Sequence, residues 1–184
     1  CGFFYDIGKL KLPQDLLWKS GKLTDLEFTK LKTHTMLAFD MLKDKDMNEH
    51  VLKAALMHHE RCDGSGYPSR LRSDKIDVFA KYIAIIDAYE AMTSARTYRL
   101  SLNPFQVIAN FEKDGYVKYD ETILKPILSH IAATQLGFNV RLTNDAEAQI
   151  MQINEEHLTR PLLKSGDVEI DLAKEPELDI AAIY

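Results

Sequence analysis

The sequence predicts a mainly α fold, a helical bundle followed by a small C-terminal β-strand extension. Apolar residues recur at helical spacing through the first three quarters of the chain, and short alternating segments follow Gly137. We therefore expect a helical domain over residues 1–136 and a small antiparallel β extension over residues 137–184.

Composition restricts the classes of function that need to be considered. The chain has 184 residues, 46% hydrophobic and 28% charged, which suits one globular domain with a core of its own. The formal net charge is −5 and no block of basic residues is present, so binding to a nucleic acid polymer is disfavoured.

No apolar run reaches the roughly 18 residues of a membrane span, and no signal peptide is found. Only Cys1 and Cys62 are present, which favours a reducing compartment, the cytoplasm. Because the sequence opens on Cys1 and an apolar run, we expect one or more helices upstream of it.

The helices can be assigned in order from periodicity and caps. We expect helices over about 24–43, 49–61, 77–92, 104–113 and 119–135, the last bent or interrupted around Pro126. The first should begin with a capping box, in which Thr24 and Glu27 satisfy each other's backbone donors. In the third, Phe79, Ile83 and Ile86 are expected to face the core.

The strands of the C-terminal extension are predicted from alternating segments separated by turn residues. These segments read NVRLTN, AQIMQI, RPLL and DVEIDL. The last stretch, LAKEPELDIAAIY, gives no clear assignment.

Three histidines and two acids stand in apolar surroundings and are candidate metal ligands. His34, His58 and His59 lie on inward-facing positions, and Asp6 and Asp87 interrupt the apolar runs FFYDIG and AIIDAY. Because an unpaired buried carboxylate is costly, such acids usually have a partner or bind a metal. A mixed imidazole and carboxylate set suits Fe, Mn, Zn or Ni better than Ca or Mg.

Each of these residues also has an ordinary structural interpretation. His34 could be a hydrogen-bonded core residue, the His58–His59 pair a polar helix end, and Asp87 the ion-pair partner of Arg96. The remaining histidines, His50, His130 and His157, show no supporting pattern and are expected at the surface.

Several motifs together resemble the HD-GYP family, a branch of the HD superfamily of metal-dependent phosphohydrolases. They are HHERCDGSGYP at 58–68, DIGK at 6–9 followed by Leu12-Pro13, the run Lys19, Gly21, Leu23, Thr24 and Glu27, and DAYEAMTSARTYR at 87–99. The resemblance covers residues 3–135. It implies an HD-type helical bundle that holds two or three metal ions, commonly iron or manganese, and cleaves cyclic di-GMP to pGpG or GMP in signal transduction.

The resemblance also implies roles for individual residues. The metal ligands would be Asp6, His34, His58, His59 and Asp87, with Asp6 bridging two metals; Lys9 and Asp6 would be catalytic; and Lys9, Gly64, Gly66, Tyr67, Arg96 and Arg99 would bind substrate. A solvated helix end is the alternative interpretation of Arg96 and Arg99.

The chain departs from the family at the His-Asp pair, the HD of the family name. Here the pair is Tyr5-Asp6. A phenol with a pKa near 10 is a weaker metal ligand at neutral pH than a neutral imidazole. We therefore expect one metal to bind well and the second to be weakened or remodelled.

Two hypotheses follow from this departure. The first is a cyclic di-GMP phosphodiesterase, with activity reduced by Tyr5. The second is a catalytically degenerate domain that binds cyclic di-GMP, or that binds other signalling proteins through the loop DGSGYP at 63–68, called the GYP loop below. A general HD-type nucleotide phosphohydrolase would fit the metal ligands but would leave DGSGYP without a purpose.

Overall fold

The structure is a computed structural model that describes residues 1–94 and 101–184, so Arg96 and Arg99 lie outside the described residues. The chain divides into two compact units. Unit 1 comprises Cys1–Leu100 with Tyr116–Ile123, and unit 2 comprises Ser101–Gly115 with Leu124–Tyr184. The predicted domain boundary after residue 136 stays a prediction.

Unit 1 is built from short helices. They are the 3-10 helix Ile7–Lys11, α1 (Gln14–Leu17), α2 (Asp25–Lys32), α3 (His34–Leu42), α4 (Glu49–Met57), the 3-10 helix Ser73–Lys75 and α5 (Val78–Thr93). The capping box of α2 is confirmed, since Thr24 accepts from the Glu27 backbone and Glu27 accepts from the Thr24 backbone. The helix predicted over 24–43 is divided at Thr33, and α4 ends at Met57, four residues before the predicted end.

The core of unit 1 forms where α3 and α4 pack on each other. Ala38, Leu42 and Ala55 are buried there. The 3-10 helix Ile7–Lys11 lies against α3 at Gly8, where an added Cβ would be 2.6 Å from the Ala38 nitrogen. This close approach holds Asp6, the residue before the 3-10 helix, beside the first turn of α3.

The prediction for the inner face of α5 was wrong at two of its three positions. Phe79 and Ile86 are each 46% exposed, whereas Ala80, Ala84 and Ile85 are buried. Apolar residues occur on most sides of α5, so periodicity alone did not identify the buried side. None of the helices in the described residues combines the length and apolar character that a membrane crossing requires.

Unit 2 overturns the predicted fold class, because its strands form a complete sheet and the chain is α+β rather than mainly α. The strands are β1 (Asn139–Leu142), β2 (Glu147–Gln152), β3 (Leu162–Ser165), β4 (Val168–Asp171) and β5 (Ile180–Ile183), with a 3-10 helix at Leu172–Lys174. They are antiparallel in the order β4-β3-β2-β1-β5. The fifth strand comes from the stretch that the sequence left unassigned.

The sheet carries an apolar face of its own. Alternate residues of β1 and β2 are buried, among them Val140, Leu142 and Ile150. A face of this kind requires a core, which a small appendage would not provide. Two longer helices, α6 (Pro104–Lys118) and α7 (Glu121–Ala133), complete the described elements, and α7 continues through Pro126.

Candidate metal centre

Four of the predicted ligands come together in unit 1. The ligand atoms of Asp6, His34, His58 and His59 all lie within 4.8 Å of one another. His34 begins α3, and His58 is the C-cap of α4 with His59 directly after it. Three separate segments of the chain thus bring their side chains together in one cluster.

The ring orientations of His34 and His58 leave their Nε2 atoms available to a metal. His34 Nδ1 lies 2.7 Å from the Leu31 carbonyl oxygen, and His58 Nδ1 lies 3.1 Å from the Ala55 carbonyl oxygen. A carbonyl only accepts, so each Nδ1 carries the proton and donates. Each Nε2 therefore presents a lone pair, as in histidines that bind metals.

The arrangement of the lone pairs favours a positive charge between them. The Nε2 atoms of His34 and His58 are 3.3 Å apart, and Asp6 Oδ1 lies 3.3 Å and 3.6 Å from them. Asp6 Oδ1 is buried and has no hydrogen-bond partner among the described residues. Three electron-pair donors that face one another fit a divalent transition metal, and the set of His and Asp could bind one.

Asp6 is held as a carboxylate. Burial alone would raise the pKa of Asp6, but the Lys9 ammonium lowers it through its hydrogen bond and its charge, so that the pKa lies below its usual value. Lys9 donates a hydrogen bond to Asp6 Oδ2. The two oxygens of this one carboxylate therefore face different groups, Oδ1 the histidines and Oδ2 the lysine.

His59 connects this cluster to Asp87. Its Nδ1 lies 3.9 Å from Asp87 Oδ2. Burial and then the neighbouring His58 and His34 lower the pKa of His59 to about 2, so its imidazole is neutral. A neutral imidazole is the form that binds metals.

Tyr5 lies against the same histidines. Its ring is edge-on to that of His58, with centroids 5.0 Å apart and an interplanar angle of 76°. Burial and then the charges of Asp87 and Asp6 raise the pKa of Tyr5 to about 12. The phenol is consequently protonated at neutral pH.

The GYP loop is fixed by Glu60, a residue that the sequence analysis missed. Glu60 is 2% exposed, and its carboxylate accepts hydrogen bonds from the backbone of Ser69 at 2.7 Å and of Leu71 at 2.9 Å. The Gly66 backbone lies so close to Glu60 that a Cβ added at Gly66 would be 2.5 Å from the Glu60 Cα. The only sequence signal was an acid placed directly after two histidines.

The loop carries Tyr67 to the cluster. The Tyr67 ring stacks on His59, with centroids 4.7 Å apart and an angle of 26°. Gly64 lies in the same loop with a φ of +81°.

Of the histidines expected at the surface, His50 pairs with Asp77 at 2.8 Å.

The chemistry available to such a cluster follows from its donors. A metal held by Asp6, His34, His58 and His59 would act as a Lewis acid and supply a bound hydroxide at neutral pH. Lys9 lies beside this position and can donate to an anionic oxygen once its bond to Asp6 is exchanged. The geometry is therefore suited to hydrolysis of a phosphate ester.

Comparison with known proteins agrees with this geometry. The HD domain family profile matches residues 1–123. A cyclic di-GMP phosphodiesterase of Pseudomonas aeruginosa is 32% identical over 166 residues, 89% of this chain and 40% of that protein. Another of Borreliella burgdorferi is 29% identical over 168 residues, 89% of this chain and 44% of that protein.

A third relative carries a different substrate in its name. A 3'3'-cGAMP-specific phosphodiesterase of Vibrio cholerae is 40% identical over 113 residues, 60% of this chain and 26% of that protein. The chain thus spans less than half the length of these curated relatives. The family prediction made from the motifs is confirmed by the domain profile and by relatives that carry cyclic di-GMP phosphodiesterase names. The chain belongs to the HD domain family, as a member of its HD-GYP branch.

Proposed function

We propose that this domain is a metal-dependent phosphodiesterase that hydrolyses cyclic di-GMP to pGpG or GMP, with iron or manganese as its metal. The observation that carries the proposal is the convergence of Asp6 Oδ1 with the Nε2 atoms of His34 and His58. That convergence occurs in a chain 32% identical to a protein named as a cyclic di-GMP phosphodiesterase. Hydrolysis of a cytoplasmic second messenger agrees with the compartment expected from the cysteines.

The proposed roles extend from the cluster to the substrate. Asp6 would hold the first metal and bridge to a second one bound by Asp87. Lys9 would neutralise charge that develops on the phosphoryl oxygens. Tyr67, Gly64 and Gly66 would line the nucleotide site, and Arg96 and Arg99, outside the described residues, would contact phosphate.

The protonated Tyr5 favours a site in which one metal dominates. Without a histidine at this position the second metal loses a neutral nitrogen ligand, and with it the two-sided clamp on the phosphodiester. We therefore propose turnover slower than in a His-Asp member. A degenerate domain that binds cyclic di-GMP or a signalling protein through the GYP loop is the second candidate, and Tyr5 is the observation that favours it.

A hydrolysis assay tests the proposal. The protein is loaded anaerobically with Fe(II) or Mn(II), mixed with cyclic di-GMP or with 3'3'-cGAMP, and the nucleotides are separated by chromatography. His59→Ala should abolish product, whereas His130→Ala, which changes an exposed helical histidine, should not. Intact cyclic di-GMP under every metal condition in folded, metal-loaded protein would contradict the enzyme and favour the binding module.

A further inference from the structure

A cavity beside the GYP loop is lined by Gly64, Gly66 and Tyr67, which are proposed above for the nucleotide site, and by residues of α2 and α3 that have no assigned role. It has a volume of about 370 Å³ and lies between α2, the start of α3 and residues 64–70. This volume falls within the range of small-molecule sites, roughly 300–1,000 Å³. All of its lining residues belong to unit 1.

The charge of this cavity is entirely positive. Lys32 and Arg70 line it, and no acidic side chain does so among the described residues. Neither Lys32 nor Arg70 forms an ion pair with a carboxylate in the described part of the chain, whereas Lys9, Lys19, Lys53 and Lys81 of unit 1 do. The Lys32 ammonium lies instead over the Phe28 ring, 4.6 Å from its centroid.

Such a cation is available to an anionic ligand. A cation over an aromatic ring in a partly exposed place is held more weakly than one bonded to a phosphate oxygen. Lys32 from α2 and Arg70 from the loop, both without carboxylate partners in the described residues, therefore make the cavity complementary to a phosphate group.

The hydroxyl groups of the cavity complement a base rather than a second anion. Thr29 Oγ1 donates to the Asp25 carbonyl at 2.8 Å, and Thr33 Oγ1 donates to the Lys30 carbonyl at 2.7 Å. Their protons are used, so these oxygens can only accept from a ligand. A guanine edge offers N–H donors, and Met36 supplies an apolar surface in the same cavity.

Tyr67 joins this cavity to the metal centre. Its ring lines the cavity and also stacks on His59. The Lys32 ammonium lies 5.4 Å from the centroid of that same ring. One aromatic side chain thus contacts both the candidate ligand His59 and the Lys32 ammonium.

We propose that the cavity binds the half of the cyclic dinucleotide that is not being cleaved, with Lys32 and Arg70 on the distal phosphodiester and the base against Tyr67 and Met36. The proposal rests on the proposed function, because it requires that a cyclic dinucleotide places its other phosphodiester at the metal centre. Lys32 and Arg70 are then determinants of substrate affinity that do not take part in bond cleavage.

The test separates affinity for the dinucleotide from chemistry at the metal. Lys32→Gln and Arg70→Gln are compared with Lys30→Gln, a neighbour on α2 that does not line the cavity. KM and kcat are measured for cyclic di-GMP, and the hydrolysis rate is measured for bis(p-nitrophenyl) phosphate, a diester without a second phosphate. Losing one charged hydrogen bond should raise KM for cyclic di-GMP about tenfold.

The two substrates make the outcome decisive. A raised KM in Lys32→Gln and Arg70→Gln, with kcat, the small-diester rate and Lys30→Gln unchanged, supports the cavity as the distal subsite. An unchanged KM overturns it, and so does an equal loss on both substrates, which would locate the effect at the metal centre.

Failure of the proposed function gives a different result. If the parent protein hydrolyses neither compound, calorimetric titration with cyclic di-GMP decides the role of the cavity alone. A dissociation constant about tenfold higher in Lys32→Gln than in Lys30→Gln supports the subsite. Equal affinity, or no binding by the parent protein, overturns it.

Discussion

Tyr5 is the residue at which the chain leaves the family pattern, and its surroundings explain why a phenol is stable there. Its ring packs edge-on to His58, and burial with the charges of Asp87 and Asp6 raises its pKa to about 12. The neutral phenol thus fills the space of a ligand without adding a negative charge to a site that already holds two carboxylates.

Replacing Tyr5 should restore the second metal. In Tyr5→His a neutral imidazole becomes available beside Asp6 and Asp87, so we expect metal content to rise from about one to about two ions per chain. Hydrolysis of cyclic di-GMP should become faster in parallel. Metal content measured by elemental analysis after gel filtration checks the first point.

Tyr5→Phe provides the matched control, because it keeps the aromatic ring and offers no ligand. Its metal content should equal that of the parent protein. A Tyr5→His protein that holds no more metal than Tyr5→Phe would show that the second site is limited by something other than this residue.

Glu60 is the residue that holds the GYP loop against the histidines. Its buried carboxylate accepts hydrogen bonds from two backbone N–H groups. In Glu60→Gln one of these N–H groups would face the amide NH₂ group and lose its acceptor. We expect Glu60→Gln to lose about 1–3 kcal/mol of unfolding free energy, measured by urea denaturation. Glu49→Gln, which changes an exposed side chain, should have a much smaller effect. An equal effect of the two variants would contradict the role given to Glu60.

At the scale of elements, the 3-10 helix Ile7–Lys11 positions Asp6 because Gly8 allows it to touch α3. An added Cβ at Gly8 would meet the His34 carbonyl oxygen and lie 2.6 Å from the Ala38 nitrogen. The backbone of both elements would have to move apart, and Asp6 would move away from His34. We therefore expect Gly8 to be needed for Asp6 and His34, two candidate ligands on different elements, to lie close together.

Gly8→Ala should therefore destabilise unit 1 and weaken metal binding together. Overpacking of this kind costs about 1–3 kcal/mol, so the thermal midpoint should fall by several degrees, roughly 2–4 °C per kcal/mol. Gly2→Ala is the control, since nothing lies within 4 Å of the position of its added Cβ. If Gly8→Ala has the same thermal midpoint and the same metal affinity as Gly2→Ala, the close packing described for Gly8 is incorrect.

The elements also show which signals the sequence contained. The start of α2 was predictable because Thr24 and Glu27 satisfy local donors within four residues. The division at Thr33 was not, because Leu31, His34 and Ala38 keep the same helical period across it. The buried side of α5 depends on what packs there, which periodicity in an apolar helix does not specify.

The same distinction holds for the site. Histidines in apolar runs are uncommon, so His34, His58 and His59 were identifiable as candidates before their contacts were known. Lys32 and Glu60 were not, because lysine and glutamate are ordinary surface residues and only tertiary contacts bring these two to the GYP loop. Motifs identified the candidate ligands, whereas the fold identified the residues that surround them.

At the scale of the whole molecule, the predicted fold class was wrong because the size of the sheet depends on pairing between strands that are distant in the sequence. The alternating segments after Gly137 indicated strands, but β5 pairs with β1 across about forty residues of sequence, for example Val140 with Ile183. Sheet size follows from such pairings and from the need to cover a buried face, which local patterns do not contain. An appendage was predicted where a five-stranded sheet is formed.

Net charge and local charge act in opposite directions on an anionic ligand. The chain carries a formal charge of −5, which alone would repel a dinucleotide. Lys32 and Arg70, without carboxylate partners in the described residues, create a local positive region next to Tyr67. This attraction is local, which favours a small anion over a long nucleic acid.

Metal binding should stabilise the folded chain, because the four ligands meet only after folding. Asp6, His34 and the His58–His59 pair are separated by more than twenty residues each along the chain, and no such cluster exists in an unfolded chain. At a free metal concentration 100-fold above the dissociation constant, the gain is about 2.7 kcal/mol, or roughly 5–10 °C in thermal midpoint. Chelation should remove this gain, and adding Mn(II) should restore it.

Two histidine variants show whether the gain comes from this cluster. His34→Ala should melt at the same temperature with and without Mn(II), because it removes one of the two facing Nε2 atoms. His130→Ala, on the exposed side of α7, should keep the full shift. A shift that survives in His34→Ala would mean that Mn(II) binds elsewhere, and the absence of a shift in the parent protein would contradict a metal centre assembled by folding.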